Sequence, residues 1–344
     1  MHEAVSKIVK IDRPSRRTTL RDLARLVGVS TSTVSRALNQ NSAISDETRE
    51  RIVKAAHEAN YIRNSLARGL ALQSSHLIGL MVPSIANPFF AEIARGAHDV
   101  AHRQSYVVAL CDTQRSPERE ELFTQNLLGS QVAGMILASG VIKEERIRSW
   151  RQLNVPLVLA GRRSAGLGFS GVSVDNVGAG YQATRFLLGL GHRKIMHMSG
   201  PADSPASKDR ERGYLDAMEA EGVAPWVVRS DYTMESGFQQ AAKIMESRRR
   251  PTAVFAANDM MAIGLIMGLT GSGLKVPGDL AVIGCDDIPM SSLIKPALTT
   301  VRVPMYDIGA RAMELLLALV EAGQQGPTHS VLLDSELVIR ESAS

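Results

Sequence analysis

Thr31, Ser32, Thr33, Ser35 and Arg36 set four short hydroxyls and a guanidinium around one apolar residue, Val34. Such side chains pack poorly in a core but donate and accept well at base edges and phosphates. The cluster is a candidate nucleic-acid-reading surface. Other chemistries find less support. Gly166-Leu167-Gly168-Phe169-Ser170-Gly171 matches G-x-G-x-x-G, but a dinucleotide site needs a strand directly before the pattern and a helix directly after it. Arg162-Arg163-Ser164 precede the pattern, and Val172-Ser173-Val174, which reads as strand, follows. A loop is expected there, not a dehydrogenase. The eight histidines are scattered, and no Ser/His/Asp order or metal-ligand spacing emerges. No cofactor, metal or catalytic residue is expected. Cys111 and Cys285 sit far apart in apolar runs and read as buried thiols rather than a disulfide.

The elements that must present the hydroxyl cluster are legible on either side of it. Leu20, Leu23, Ala24 and Val27 recur at helical spacing. Gly28 follows them, where a left-handed cap is needed and a side chain costs energy. Ser30 is then a good N-cap for a second helix over 31–38, whose apolar face is Val34, Ala37 and Leu38. Ser45 opens a third helix with Asp46 and Glu47 on its first turn, ending near Asn60 and Tyr61. The spacing predicts a helix-turn-helix with its reading helix second; a small helical hairpin packed on the body is the plainer alternative. Charge favours the former. Residues 1–75 hold thirteen Lys/Arg and seven Asp/Glu, whereas the whole chain is only +4, so the basic excess is local.

A chain of 344 residues has room for two or three domains with proper cores. Its residues 1–17 read as a polar, flexible tail without the apolar region of a secretory signal, and no run of about 18 apolar residues suggests a membrane span. A cytoplasmic protein with no membrane partner is expected. Residues 63–75 read as a linker or short helix, too short to be stable alone. From His76 onward strand-like and helix-like runs alternate. Strands are expected at 77–82, 106–111, 134–137, 157–159, 194–198, 226–229, 253–256 and 280–284. Helices are expected at 90–103, 117–130, 143–153, 178–190, 209–221, 235–247 and 259–272. Two such series predict an α/β fold of two doubly wound parallel-sheet lobes behind an all-α headpiece. Ligands of such lobes bind at the carboxyl ends of strands, here in a cleft between the two.

Several segments together resemble the LacI/GalR family of transcription regulators. They are Val34-Ser35-Arg36-Ala37-Leu38-Asn39, Ser45-Asp46-Glu47-Thr48-Arg49, Asn87-Pro88-Phe89-Phe90-Ala91-Glu92-Ile93, Gly189-Leu190-Gly191-His192-Arg193-Lys194-Ile195, Ala256-Ala257-Asn258-Asp259-Met260-Met261-Ala262 and Gly284-Cys285-Asp286-Asp287-Ile288. Leu298-Thr299-Thr300-Val301 and Val338-Ile339-Arg340-Glu341-Ser342 complete the set, and the likeness runs from residue 18 to 341. It implies a helix-turn-helix domain at 18–62, a hinge helix at 63–75 and a periplasmic-binding-protein-like core at 76–344. The N-lobe is expected at about 76–173 plus 304–332 and the C-lobe at about 174–303 plus 333–344, with crossovers near 172–175, 301–304 and 331–334. A homodimer on a palindromic double-stranded DNA operator is also implied. The residues up to Ser344 hold no heptad repeat, which favours a dimer over a tetramer.

The resemblance also assigns residues. Thr31, Ser32 and Arg36 match base-reading positions, and Arg36 either reaches a guanine or only neutralises phosphate. Thr33 and Ser35 fall where phosphate is contacted, and Thr19, Leu20, Ser30, Asn39 and Tyr61 fall within the same DNA-facing set. Leu70 matches a leucine that wedges into the minor groove, flanked by Asn64 and Ala67, although Gly69 stands where a serine is often found. A small carbohydrate-type effector (sugar, sugar acid or sugar phosphate) is expected on Phe89, Phe90, Arg162, Ser207, Arg210, Tyr232, Asn258 and Asp286. Gly161 replaces an aspartate frequent in relatives, and Arg162 and Arg163 add positive charge. This favours an anionic effector, provided that Arg162 does not face solvent or cross between lobes. A transport protein sharing residues 76–341 is the competing reading, but it would carry a signal peptide and no basic headpiece.

Overall fold

The computed structural model describes residues 18–38, 44–59, 61, 75–138, 142–323 and 327–344. The chain divides into two compact units, one within residues 1–72 and one within 73–344.

In the first unit, α1 (Leu20–Val27) begins at a reciprocal cap. Asp22 N–H donates to Thr19 Oγ1, and Thr19 N–H donates to Asp22 Oδ2. Gly28, at φ +75°, closes the helix in the left-handed region, and its N–H donates to Ala24 O. α2 (Thr31–Leu38) starts at Ser30, whose Oγ accepts the Thr33 N–H at 3.0 Å. α3 (Asp46–Glu58) is capped by Ser45. Leu23, Val34, Ala37, Leu38, Ile52 and Ala56 meet between the three helices in a core that shares no residue with those of the second unit.

The second unit holds two six-stranded sheets. The first is ordered β11-β5-β4-β3-β1-β2, from β1 (Leu77–Val82), β2 (Val107–Asp112), β3 (Gly134–Leu137), β4 (Leu157–Ala160), β5 (Ser170–Val174) and β11 (Ser330–Leu333), all parallel. α4 (Pro88–Arg103) and α11 (Met305–Glu321) cover one face, and α5 (Pro117–Gly129) and α6 (Glu144–Ser149) contribute to the core on the other. Strand alternation explains the split. Ile78, Leu80 and Val82 join one cluster, while Met81 joins the other. Burial on both faces is why β1 reads as a continuous apolar run.

The second sheet is ordered β12-β10-β9-β8-β6-β7. It comprises β6 (Ile195–Ser199), β7 (Val227–Arg229), β8 (Ala253–Ala256), β9 (Ala281–Asp286), β10 (Thr299–Arg302) and β12 (Glu336–Val338), the last antiparallel to β10. Its helices pack in pairs, α7 (Asn176–Gly189) on α8 (Pro205–Ala220) and α9 (Met234–Glu246) on α10 (Asp259–Gly271). Glycine makes the first pair close: a Cβ on Gly180 would stand 2.1 Å from the carbonyl oxygen of Arg210. The chain passes between the sheets after β5, after β10 and after β11.

The elements expected from sequence fall within a few residues of their observed spans; β10, β11, β12 and α11 have no counterpart among the expected spans. Residues 166–169 of the G-x-G-x-x-G segment form a turn and its last two residues open β5, so a strand follows where a dinucleotide site needs a helix. Among the described residues, no helix is long and apolar enough to cross a membrane.

Candidate DNA-reading face and ligand cleft

α2 separates its side chains by face. Val34, Ala37 and Leu38 are buried, whereas Thr31, Ser32 and Arg36 are exposed. Helical spacing does this directly, because the buried positions recur every three to four residues and leave the rest to solvent. The hydroxyls are linked at the amino end: Ser30 Oγ lies 2.7 Å from Ser32 Oγ and 2.8 Å from Thr33 Oγ1. Ser30 is thereby committed to capping, and Thr33 and Ser35 are half-buried beside it. Arg36 makes no hydrogen bond or ion pair among the described residues, so its guanidinium is available to a ligand. Thr19 is the exposed cap of α1. Leu20 and Tyr61 pack half-buried against the headpiece core, which limits what either offers outward. Asn39, Asn64, Ala67 and Leu70 lie outside the described residues.

In the second unit the carboxyl ends of the strands converge on a cavity of about 550 Å³ between the two sheets. β2 contributes Asp112, β4 leads to Gly161 and Arg162, β5 leads to Asn176, β7 leads to Asp231 and Tyr232, and β9 ends at Asp286. Phe89 and Phe90 enter from the first turn of α4, their rings 5.0 Å apart and edge-on, and Asn87 caps that turn by accepting the Phe89 N–H.

Arg210 is the centre of the buried polar set. Its Nε donates to Asn176 Oδ1 at 2.9 Å, and its Nη1 donates to Ala257 O and to Asp286 Oδ1, the last at 3.1 Å. Burial opposes the Arg210 charge, yet the neighbouring Asp286 carboxylate holds the guanidinium above its ordinary value. Burial in turn pushes the Asp286 carboxyl up to about 7 against the pull of Arg210. Asn258 caps α10 by accepting the Met261 N–H and donates from Nδ2 to Tyr232 O at 3.1 Å, while also lining the cavity. Its amide thus fixes the Tyr232 backbone, which is itself left-handed at φ +72°.

Asp286 and Asp287 both occupy positive φ, at +134° and +59°. Non-glycine residues adopt such backbone only when their surroundings impose it. Here Asp287 accepts from Arg302 Nε at 2.8 Å and from Arg340 Nη2 at 2.6 Å. Arg302 ends β10, just before the second crossover, and also pairs with Glu336 just after the third. The residue beside a cavity-lining acid is therefore tied to two of the three interlobe connections.

One expectation changes. Ser207 does not line the cavity. It is fully buried, with its hydroxyl 3.0 Å from Ser199 Oγ, because α8 begins at Pro205 and turns that position inward; the cap residue Ser204 reaches the cavity instead. Arg162 neither faces solvent nor spans the lobes. Its side chain is 5% exposed, and its Nη1 donates to Ile142 O at 3.0 Å. The neighbouring Arg163 makes the crossing, 3.7 Å from Asp209 of α8, and Arg115 makes a second one at 3.1 Å from Asp203. Both pairs are largely exposed and individually worth little.

Asn176, Asp112, Asp231, Gln114 and Arg115 line the cavity without having been singled out from sequence. Several of them follow directly on an apolar strand, which is the signal that finds them. Among the described residues, no three His, Cys, Asp or Glu side chains gather to hold a metal.

Two family models match the chain. Residues 19–64 match "Bacterial regulatory proteins, lacI family", and residues 184–343 match "Periplasmic binding protein-like domain". Catabolite control protein A of Priestia megaterium is 36% identical over 302 residues, covering 87% of this chain and 91% of that protein. The Lac repressor dimer bound to operator and the anti-inducer ONPF superposes with a TM-score of 0.85 at 31% identity, over 95% of this chain and 99% of that one. A complex of the transcriptional regulator CelR with cellobiose gives a TM-score of 0.72 at 31% identity, over 95% and 100% of the two chains.

Proposed function

The chain belongs to the LacI family of bacterial regulatory proteins, DNA-binding transcriptional repressors rather than enzymes, and from that premise we propose how it selects DNA and what controls it. It acts as a homodimer on a palindromic operator, and a small carbohydrate-type effector in the cleft sets its DNA affinity. The observation that carries the DNA half is the two-faced α2, with Arg36, Thr31 and Ser32 outward over a buried Val34, Ala37 and Leu38. Two such helices related by a dyad meet two major-groove half-sites, so the operator mirrors the protein's symmetry. Exposed Val107 and Leu110 on the edge strand β2, with Leu122 on α5, support a dimer through the first lobe.

The working division is a tail at 1–17, a headpiece at 18–62, a hinge at 63–75 that carries Leu70, and the core from 76. The cleft half rests on the converging strand ends and on the Arg210–Asp286 pair, which offers a fork of donors beside an acceptor for vicinal hydroxyls. The effector acts through its different affinity for two lobe arrangements, and it shifts DNA binding by no more than that difference.

Selection of bound fragments from random DNA by the purified chain tests this reading. An inverted repeat is expected, bound by two chains with an affinity that falls steeply with salt. Arg36→Ala is expected to weaken that site roughly thirtyfold or more, because each of the two half-sites loses a contact worth about 1–3 kcal/mol. An asymmetric site bound by one chain overturns the proposal.

A further inference from the structure

Three arginines line the cleft, and their charges are not equally balanced. Arg210 is 3.1 Å from Asp286, and Arg115 is 3.1 Å from Asp203. Arg162 forms no ion pair among the described residues. Its one hydrogen bond there is the donation to Ile142 O, and its Nε is buried without a partner. A guanidinium carries five N–H donors in a planar fork shaped for an oxyanion. Holding it 5% exposed against one neutral carbonyl leaves most of that capacity unused and its charge uncompensated. Burial accordingly pulls the Arg162 guanidinium below its ordinary value, with Glu144 opposing only partly.

The surroundings leave room for a counter-charge. Gly161, directly before Arg162, is left-handed at φ +72°, and a Cβ there would meet nothing within 4 Å. The acids of the same cavity are engaged differently. Asp112 Oδ1 accepts the Gln114 N–H, and Asp231 Oδ1 accepts the Thr233 N–H and hydroxyl, with no arginine on either. Their remaining lone pairs suit hydroxyl donors and repel a second anion.

We propose that Arg162 anchors an anion subsite, so that the effector carries one oxyanion on a polyhydroxylated skeleton, its hydroxyls directed to Asp112, Asp231 and Asp286. The proposal rests on the reading of the cleft as the effector site. The shared chemistry is the oxyanion; it is supplied either by a sugar acid or by a sugar phosphate.

Calorimetry and thermal shift on the full chain separate these, using neutral hexoses and pentoses, their aldonates and uronates, their phosphate esters, and inorganic phosphate alone. At least one anionic member is expected to bind tenfold or more tightly than its neutral parent, and inorganic phosphate is expected to compete with it. Arg162→Gln should erase that margin, bringing the anion's affinity down by tenfold or more to that of its neutral parent. Arg162→Lys, which keeps the charge and loses the fork, should retain part of the margin, and it serves where the glutamine variant does not fold. Equal binding of neutral parents, an anion preference that survives Arg162→Gln, or failure of every anionic member to bind overturns the subsite. If neutral sugars bind and change operator affinity while anions do not, the subsite falls and the effector reading stands. If no member binds or alters operator affinity, the effector reading falls and takes the subsite with it.

Discussion

His197 shows how strongly position governs a side chain in this core. It lies on β6, stacked 5.1 Å from Tyr214 and 4.7 Å from Phe255, with its Nδ1 3.0 Å from Phe255 O and its Nε2 without a partner among the described residues. Burial lowers its pKa from 6.5 to about 3. The folded protein therefore keeps His197 neutral, while the unfolded chain takes up a proton below pH 6.5. The stability this contributes is full above pH 6.5 and is lost as pH falls toward 3, with a slope reaching about 1.4 kcal/mol per pH unit for one proton. Urea denaturation across that range should show this slope in the native chain and its loss in His197→Phe. Single residues also mark what the sequence could and could not disclose. Arg36, Thr31 and Ser32 were legible because helical periodicity alone assigns them to the face opposite Val34. Arg162, unlike Arg163, was assigned to the cleft by resemblance, but residue type alone gives neither the burial of the first nor the interlobe reach of the second. The left-handed turn at Gly161 decides that the first is buried and the second spans to Asp209, and backbone of that kind is invisible in composition.

At the scale of elements, the cleft depends on how closely α7 and α8 approach. Gly180→Ala would drive a methyl to 2.1 Å from the Arg210 carbonyl oxygen, so α8 must shift. A cost of about 1–3 kcal/mol is expected for such overpacking. Because Arg210 moves with α8, ligand affinity should fall by about tenfold along with the urea midpoint. Loss of stability with unchanged affinity would show that the helix pair does not position the site. Strands buried on both faces, such as β1, could be placed from sequence because they read as uninterrupted apolar runs. β11 and β12 could not. They are short and half-exposed, Ser330–Leu333 and Glu336–Val338, and they exist because the chain returns across both sheets. Long-range pairing of that kind leaves little local signal.

At the scale of the molecule, the two units keep separate hydrophobic cores. Removing residues 1–75 is therefore expected to abolish salt-dependent DNA binding while leaving a folded core whose ligand affinity matches that of the full chain. Specific DNA binding by the truncated chain would contradict the assignment of α2. Within the core, the adjacent acids Asp286 and Asp287 divide two tasks, one facing the cavity and the other tied to Arg302 and Arg340. Their peptide is a single stiff piece held at positive φ. For protein engineering this means that ligand choice and signal transmission share one short stretch of backbone. A biosensor built on this scaffold is best retuned at Asp112, which ends β2, or at Asp231, in the loop after β7, because neither pairs with Arg302 or Arg340.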